Sequence, residues 1–246
     1  MSGIILYQFP ASHYNEKARW ALDLKRVPHQ RVSLLPGPHV PKMKRLSGRT
    51  QTPVLVDRTK VVAGSAAILA YLEQRFPDPP LEPSDPGERE RALAIAATFD
   101  QKVGPAVRLA KFFEVMCGEF AVRTFCAEKA PLTRTLYRAS FPLVHLIMKR
   151  SMEINAENAE KGREETQYAL DYVVRESGTS GYLIGDSFSL ADLTCAALLM
   201  PAVEVADLGG PPLAETDAER AWLQRWADHP GAAWVREIYR RHRRPG

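Results

Sequence analysis

A two-domain chain, α/β in its first third and all-helical beyond, is predicted by three observations. Strand-like and helix-like stretches alternate as far as Phe76, and five prolines (Pro77, Pro79, Pro80, Pro83 and Pro86) then crowd ten residues. Nearly everything after them reads with helical periodicity. The 246 residues suit domains of about 80 and 160 residues, each large enough to bury a core. The expected division is 1–77, a proline-rich linker 78–87 that can hold no helix, and 88–246.

Ile4 to Gln8 are apolar or β-favouring and stop at Pro10, which makes a first strand. Ala18, Ala21, Leu22 and Lys25 recur at helical spacing, with Glu16, Lys17, Arg19 and Asp23 around them, and Pro28 ends the pattern. Val32, Leu34 and Leu35 form a second strand, closed by Pro36, Gly37 and Pro38, and a short basic helix covers Lys42 to Leu46. Val54 to Val56 and Lys60 to Ala63 make a hairpin across a three-residue gap, and Ser65 to Phe76 is a helix. The order βαβαββα is a thioredoxin-like topology. Beyond the linker, helices are predicted over Glu88 to Lys111, Glu114 to Ala127, Thr133 to Met152, Ala156 to Arg175, Leu190 to Met200 and Ala218 to Trp226, with Trp222, Trp226 and Trp234 as closing anchors.

Composition narrows the function classes. Apolar content of 45% and charged content of 25% are ordinary for a folded domain. The net charge of +4 is concentrated in Arg240, Arg241, Arg243 and Arg244, which read as cations at the end of a last helix, and it falls short of a nucleic-acid footprint. No apolar run nears the ~20 residues of a membrane span, and Met1 to Phe9 lack the features of a signal peptide, so a cytoplasmic protein is expected. Cys117, Cys126 and Cys195 show neither redox nor zinc spacing; buried, inert thiols are expected, and no metal.

Three short motifs carry the chemistry. Pro53 leads the third strand, an unusual place for a residue that cannot donate to a ladder, and points to a cis Thr52–Pro53 peptide. Gly64-Ser65 opens a helix, whose free N–H groups attract an anion. Ser189 and Asp192 are spaced as a capping box, with Phe188 and Leu193 as its hydrophobic staple.

Tyr7 to Leu22, Thr52-Pro53-Val54-Leu55, Gly64 to Ile68 and Gly185 to Asp192 together resemble the cytosolic glutathione transferase superfamily, in a serine-type, bacterial-like form. The resemblance implies glutathione, or a related low-molecular-weight thiol, as co-substrate, a hydrophobic electrophile as second substrate, and a homodimer. By position, Thr52 and Pro53 inherit the pairing with the cysteinyl backbone, and Ser65 inherits the γ-glutamyl carboxylate. Gly64 stands where many members carry an acidic residue or Gln for the glutamyl amine. His39 and Lys42 match loosely the contacts to the glycyl carboxylate, or are merely a solvated basic helix. Ser12 occupies the place of the first cysteine of a thioredoxin-like Cys-x-x-Cys, and Asn15 the second. Its hydroxyl either donates to the thiol sulfur, favouring thiolate together with the helix dipole, or only caps the helix. Tyr7 is the rival donor. Ser12, Thr52 and Ser65 are expected to bound one cleft.

The resemblance thins between Phe112 and Gly162, where Phe112, Phe113, Met116, Tyr137 and Phe141 either line a substrate pocket or form helical core. A non-catalytic binding or regulatory protein of this fold remains the alternative function. A thiol–disulfide oxidoreductase is excluded by the absence of any cysteine before the linker.

Overall fold

A computed structural model describes residues 3–115, 118–127, 129–205 and 216–243. Met116, Cys117 and Arg244 lie outside the described residues.

The first unit runs β1 (Ile4–Gln8), α1 (His13–Leu24), β2 (Gln30–Ser33), α2 (Val40–Ser47), β3 (Val54–Asp57), β4 (Lys60–Ala63) and α3 (Ser65–Arg75). The strands form one mixed sheet of order β2-β1-β3-β4, in which β1 and β2 are parallel and β3 is antiparallel to both neighbours. This is the thioredoxin-like arrangement, reached through the predicted element order. The second strand begins earlier than its apolar residues indicate: Gln30, Arg31 and Val32 pair with Ile5, Leu6 and Tyr7, and Leu34 lies beyond the strand. An edge strand needs only backbone pairing on one side, so its polar start leaves no apolar signal.

Two X-Pro peptides are cis: Thr52–Pro53, as predicted, and Asp78–Pro79, which the sequence did not mark. The extended connection ends where α4 (Pro86–Thr98) begins, with the Asp85 side chain accepting from the Glu88 N–H at its N-cap.

Further helices are α5 (Gly104–Glu114), α6 (Gly118–Phe125), α7 (Pro131–Ser151), α8 (Ala156–Ser177), α9 (Leu190–Leu199), α10 (Asp217–Gln224) and α11 (Pro230–His242). The predicted helix from Glu88 to Lys111 is not uniform. A π-helical segment, Phe99–Val103, joins α4 to α5. Such a widened turn leaves a carbonyl available to outside donors, and Tyr14 Oη donates to Asp100 O at 2.6 Å across the domain boundary. Helix α9 is buried along its whole length, and α1 packs on α9 as well as on α3. Trp222, Trp226 and Trp234 are buried, each with its indole N–H bonded, to Pro201 O, Gln167 Oε1 and Gly181 O respectively.

Glu16, Lys17 and Arg19 are all buried, because α1 is sandwiched between the sheet unit and the helical unit. Burial of such charges requires partners, and Lys17 meets Asp100 at 2.7 Å while Arg19 meets Glu16 at 2.7 Å. One expectation needs correction: Arg243 is not simply one of the cations at the end of the last helix. Arg240 and Arg241 behave so, sharing Glu237, but Arg243 turns inward to Glu16 at 2.6 Å and Asp23 at 2.9 Å.

Candidate functional site

A cleft of about 1050 Å³ opens between the two units. The β1–α1 turn contributes Phe9 to Tyr14, the start of α2 contributes His39 and Val40, and the cis-proline turn contributes Thr50, Gln51 and Thr52. Across from these stand Arg108, Lys111 and Phe112 of α5, Phe120, Arg123 and Phe125 of α6, and Val144, Ile147 and Met148 of α7.

Ser12 is the N-cap residue of α1 in extended backbone, φ −88° and ψ 127°, yet its hydroxyl makes no capping hydrogen bond. The hydroxyl is thus not committed to the helix, and it lines the cleft beside the free N–H groups of the first turn. Asn15 Nδ2 donates to Thr52 Oγ1 at 3.2 Å, which ties the start of α1 to the cis-proline turn. Gly64 N donates to Pro53 O at 2.9 Å, which ties that turn to the start of α3. Ser12, Thr52, Pro53, Gly64 and Ser65 therefore form one hydrogen-bonded succession of loops.

They do not all face the cleft. Ser12, His39 and Thr52 line it, whereas Pro53, Gly64 and Ser65 do not. Ser65 is buried as the first residue of α3 and adjoins the Thr52 end of the wall through the Gly64–Pro53 bond. Gly64 stands in backbone that favours glycine. Its φ is +98°, a region open to glycine and strained for other residues. No atom lies within 4 Å of where a Cβ would stand, so space is open in front of α3.

Tyr7 and Lys42 lie elsewhere. Alternation along β1 puts Tyr7 on the sheet face opposite Gln8, which lines the cleft, and Lys42 Nζ sits 4.4 Å over the Tyr7 ring. His39 packs edge-on against Phe9 with centroids 4.8 Å apart, and burial pushes its pKa down. His13, next to Ser12, donates from Nε2 to Gly104 O at 3.1 Å. Burial, then the Arg108 charge, lowers its pKa to about 3, so it is a neutral imidazole at physiological pH.

Among the aromatic candidates, Phe112 lines the cleft, Phe113 is exposed, and Tyr137 and Phe141 belong to a satellite core with Phe125 and Val144. Tyr137 Oη is held by Pro36 O at 3.0 Å. Sequence reasoning missed Phe120 and Phe125, and it missed the cations altogether. The cleft is lined by Arg19, Arg31, Arg108, Lys111, Arg123 and Arg243 against only Glu16 and Glu219. Arg108, Lys111 and Phe112 stand at i, i+3 and i+4, a spacing that marks one helix face and that the sequence already displayed. Among the described residues no three His, Cys, Asp or Glu side chains cluster to hold a metal.

Far from the cleft, the capping box at α9 is complete. Asp192 Oδ2 accepts from Ser189 N and Ser189 Oγ, both at 2.9 Å, and Oδ1 accepts from Leu183 N at 2.8 Å. Ser189 Oγ accepts from Ala191 N at 3.2 Å. Phe188 stacks on His242 and Trp20.

A thioredoxin-like unit with a cis-proline turn, followed by an all-helical unit and a cleft between them, defines the class. Residues 6–80 match the family description "Glutathione S-transferase, N-terminal domain", and residues 135–230 match "Glutathione S-transferase, C-terminal domain". The chain belongs to the cytosolic glutathione transferase superfamily. It is 26% identical over 233 residues to the FtsZ-localized protein A of Caulobacter vibrioides, covering 92% of this chain and 87% of that one. It is 25% identical over 200 residues to a probable maleylacetoacetate isomerase of Caenorhabditis elegans, covering 80% of this chain and 78% of the relative. The fold is shared with a glutathione transferase of Methylobacterium radiotolerans solved with glutathione sulfonate, at TM-score 0.61 and 22% identity over 99% of this chain and 95% of that one.

Proposed function

We propose that the protein is a glutathione-dependent transferase or isomerase of the serine type, in which Ser12 stabilises the thiolate of glutathione. The observation that carries this reading is the Ser12 hydroxyl, placed at a helix N-terminus, lining the cleft and unused as a cap. The tripeptide would lie from Ser12 across the Thr52 backbone to the N-terminus of α3, where Ser65 and the free N–H groups meet the γ-glutamyl carboxylate. The open space in front of Gly64 leaves room for it. His39 serves the glycyl end from the cleft wall, whereas Lys42, engaged with the Tyr7 ring, is the weaker assignment.

In this reading the bound thiol releases its proton to solvent, and the hydroxyl of Ser12 donates to the sulfur. Charge on sulfur is favoured by that hydrogen bond and by the positive end of α1. Neutral His13 adds no positive charge. The thiolate then attacks a carbon of an electrophile held against the Phe112, Phe120 and Phe125 wall, so proximity supplies the rest of the rate. As the carbon–sulfur bond forms, either the bond to a leaving group breaks and that group departs with the electron pair, or the π bond of an activated alkene breaks and its electrons pass to the conjugated acceptor, which takes a proton from solvent.

A binding or regulatory protein is the second reading. It is favoured by similarity to a relative whose name denotes a location rather than a reaction, and by Gly64, which offers no charge to the glutamyl amine. Calorimetric titration with glutathione and with other low-molecular-weight thiols tests the proposal. Micromolar binding together with turnover of a model electrophile supports the enzyme, and binding without turnover supports the second reading. Absence of binding to any thiol overturns both forms of a thiol site.

A further inference from the structure

We propose that the helical half of the cleft is a recognition subsite for a carboxylate carried on an aromatic or apolar co-substrate, with Arg108 as its specificity-determining residue. The inference rests on the thiol-site reading above and goes beyond it by replacing a merely hydrophobic electrophile with an amphiphilic anion.

The contrast among the buried and half-buried cations of this chain carries the argument. Lys17 is paired with Asp100, Arg243 with Glu16 and Asp23, Arg19 with Glu16, and Lys111 with Glu219 at 3.7 Å. Each is thereby accounted for as part of the fold. Arg108 has no such partner among the described residues. Its Nε is shut off from water with no hydrogen-bond acceptor, and the neighbour it does have is the Tyr14 ring, 6.0 Å from Cζ. A guanidinium keeps its charge at neutral pH even where, as here, burial lowers its pKa. A shielded donor without an acceptor is unfavourable to the folded chain, so an arriving carboxylate would relieve that cost on binding. A planar guanidinium suits a carboxylate through paired hydrogen bonds.

The surroundings define the rest of the ligand. Arg108 shares its helix face with Phe112, and Phe120 and Phe125 continue the apolar wall. The ligand should therefore present an aryl or alkyl body with one anionic group at the α5 end. The carboxylates of glutathione are not that group, because the thiol reading holds them at α3 and α2 in the first unit. Tyr14 and His13 are next to Arg108 and immediately follow Ser12, which puts the anion subsite beside the proposed position of the sulfur.

The test compares S-benzylglutathione with S-(4-carboxybenzyl)glutathione by calorimetry on wild type, Arg108→Met and Arg108→Lys. Wild type should bind the carboxylated conjugate at least about tenfold more tightly, about 1.4 kcal/mol. Arg108→Met should erase the preference while leaving S-benzylglutathione within about twofold, and Arg108→Lys should restore part of it. Arg108→Met should also melt no lower than wild type, whereas a merely structural arginine would lower the melting temperature. No preference in wild type, or a preference kept in Arg108→Met, overturns the proposal. If neither conjugate binds, the thiol reading fails, and 4-methylbenzoate titrated alone decides the subsite. Binding to wild type that Arg108→Met abolishes upholds it; equal or absent binding overturns it.

Discussion

Arg243 Nε donates to Glu16 Oε1 at 2.6 Å, joining the end of the described chain to the first helix, with both side chains almost wholly buried. The neighbouring contacts make this a clasp. Trp20 Nε1 donates to His242 O at 3.1 Å, and Phe188 stacks on the His242 ring. Glu16 also holds Arg19, which in turn bonds Gln8 Oε1 and Pro10 O beside Ser12. The conformation of the loop that presents Ser12 therefore depends on residues more than 220 positions away.

Arg243→Ala should destabilise the protein by about 3 kcal/mol, because removing one partner of a buried ion pair strands the other. Glu16 keeps Arg19, so the loss should fall at the lower end of the usual range. Arg243→Lys, which keeps a cation beside Glu16 and Asp23 and leaves the Glu16–Arg19 pair intact, should recover part of it. Chemical denaturation of the three proteins measures this, and equal stability of wild type and Arg243→Ala would remove the clasp from the account.

Asp192 gives a pH signature opposite to that of an ordinary surface carboxylate. Burial raises its pKa from 3.8 to about 6, against the opposing effect of its hydrogen bonds from Leu183 and Ser189. A folded-state pKa above the unfolded one means that the native chain binds the extra proton between those values. Its contribution to stability is then complete below about pH 4, declines as pH rises to about 6, and is flat above that. Asp192→Asn cannot titrate, so the difference in stability between wild type and this variant should shrink across the same interval. Asp192→Ala should cost at least about 2 kcal/mol at any pH, through loss of the cap and two stranded N–H groups. Thermal melts from pH 4 to 7 check both outcomes.

Gly104 is fixed by close approach. A Cβ there would come within 2.8 Å of Tyr14 Cζ, closer than real side chains pack. Gly104→Ala should displace Tyr14, break its bond to Asp100 O and lower stability by about 1–3 kcal/mol. A Tyr14→Phe, Gly104→Ala pair should be less than additive, because the first change already removes the hydroxyl that clashes. Additive losses would refute the contact.

Local signals explain what the sequence revealed. Pro28, Pro36 and the Pro77–Pro86 cluster mark ends, and the Ser189–Asp192 spacing marks a helix start, because each acts within a few residues. The π-helical turn at Phe99–Val103 shifts periodicity by one residue and leaves the apolar pattern almost intact, so it was invisible. The burial of Glu16 and Lys17 was not legible because their partners, Arg243 and Asp100, come from the helical unit. Ser12 was legible by motif, but whether its hydroxyl was spent on a cap depended on backbone geometry.

Ser12→Ala is the sharpest test of mechanism. In the proposed site Ser12 touches the sulfur alone, while Ser65 and the Thr52 backbone hold the remainder of the tripeptide. Removing the hydroxyl should leave glutathione affinity within about threefold, raise the pKa of the bound thiol, and lower the conjugation rate at neutral pH by about 10-fold or more. Each unit of pKa corresponds to roughly 1.4 kcal/mol of preference for thiolate. Because the hydroxyl makes no capping bond, the substitution should leave the melting temperature nearly unchanged, unlike loss of a true N-cap, which costs about 1 kcal/mol. Tyr7→Phe is the control. The Tyr7 ring lies against Lys42, away from the cleft lining, so its thiolate titration should coincide with wild type. Thiolate absorbance against pH reads all three proteins directly. Superimposable curves for wild type and Ser12→Ala would deny Ser12 its role, and a displaced curve for Tyr7→Phe would transfer that role to the strand tyrosine.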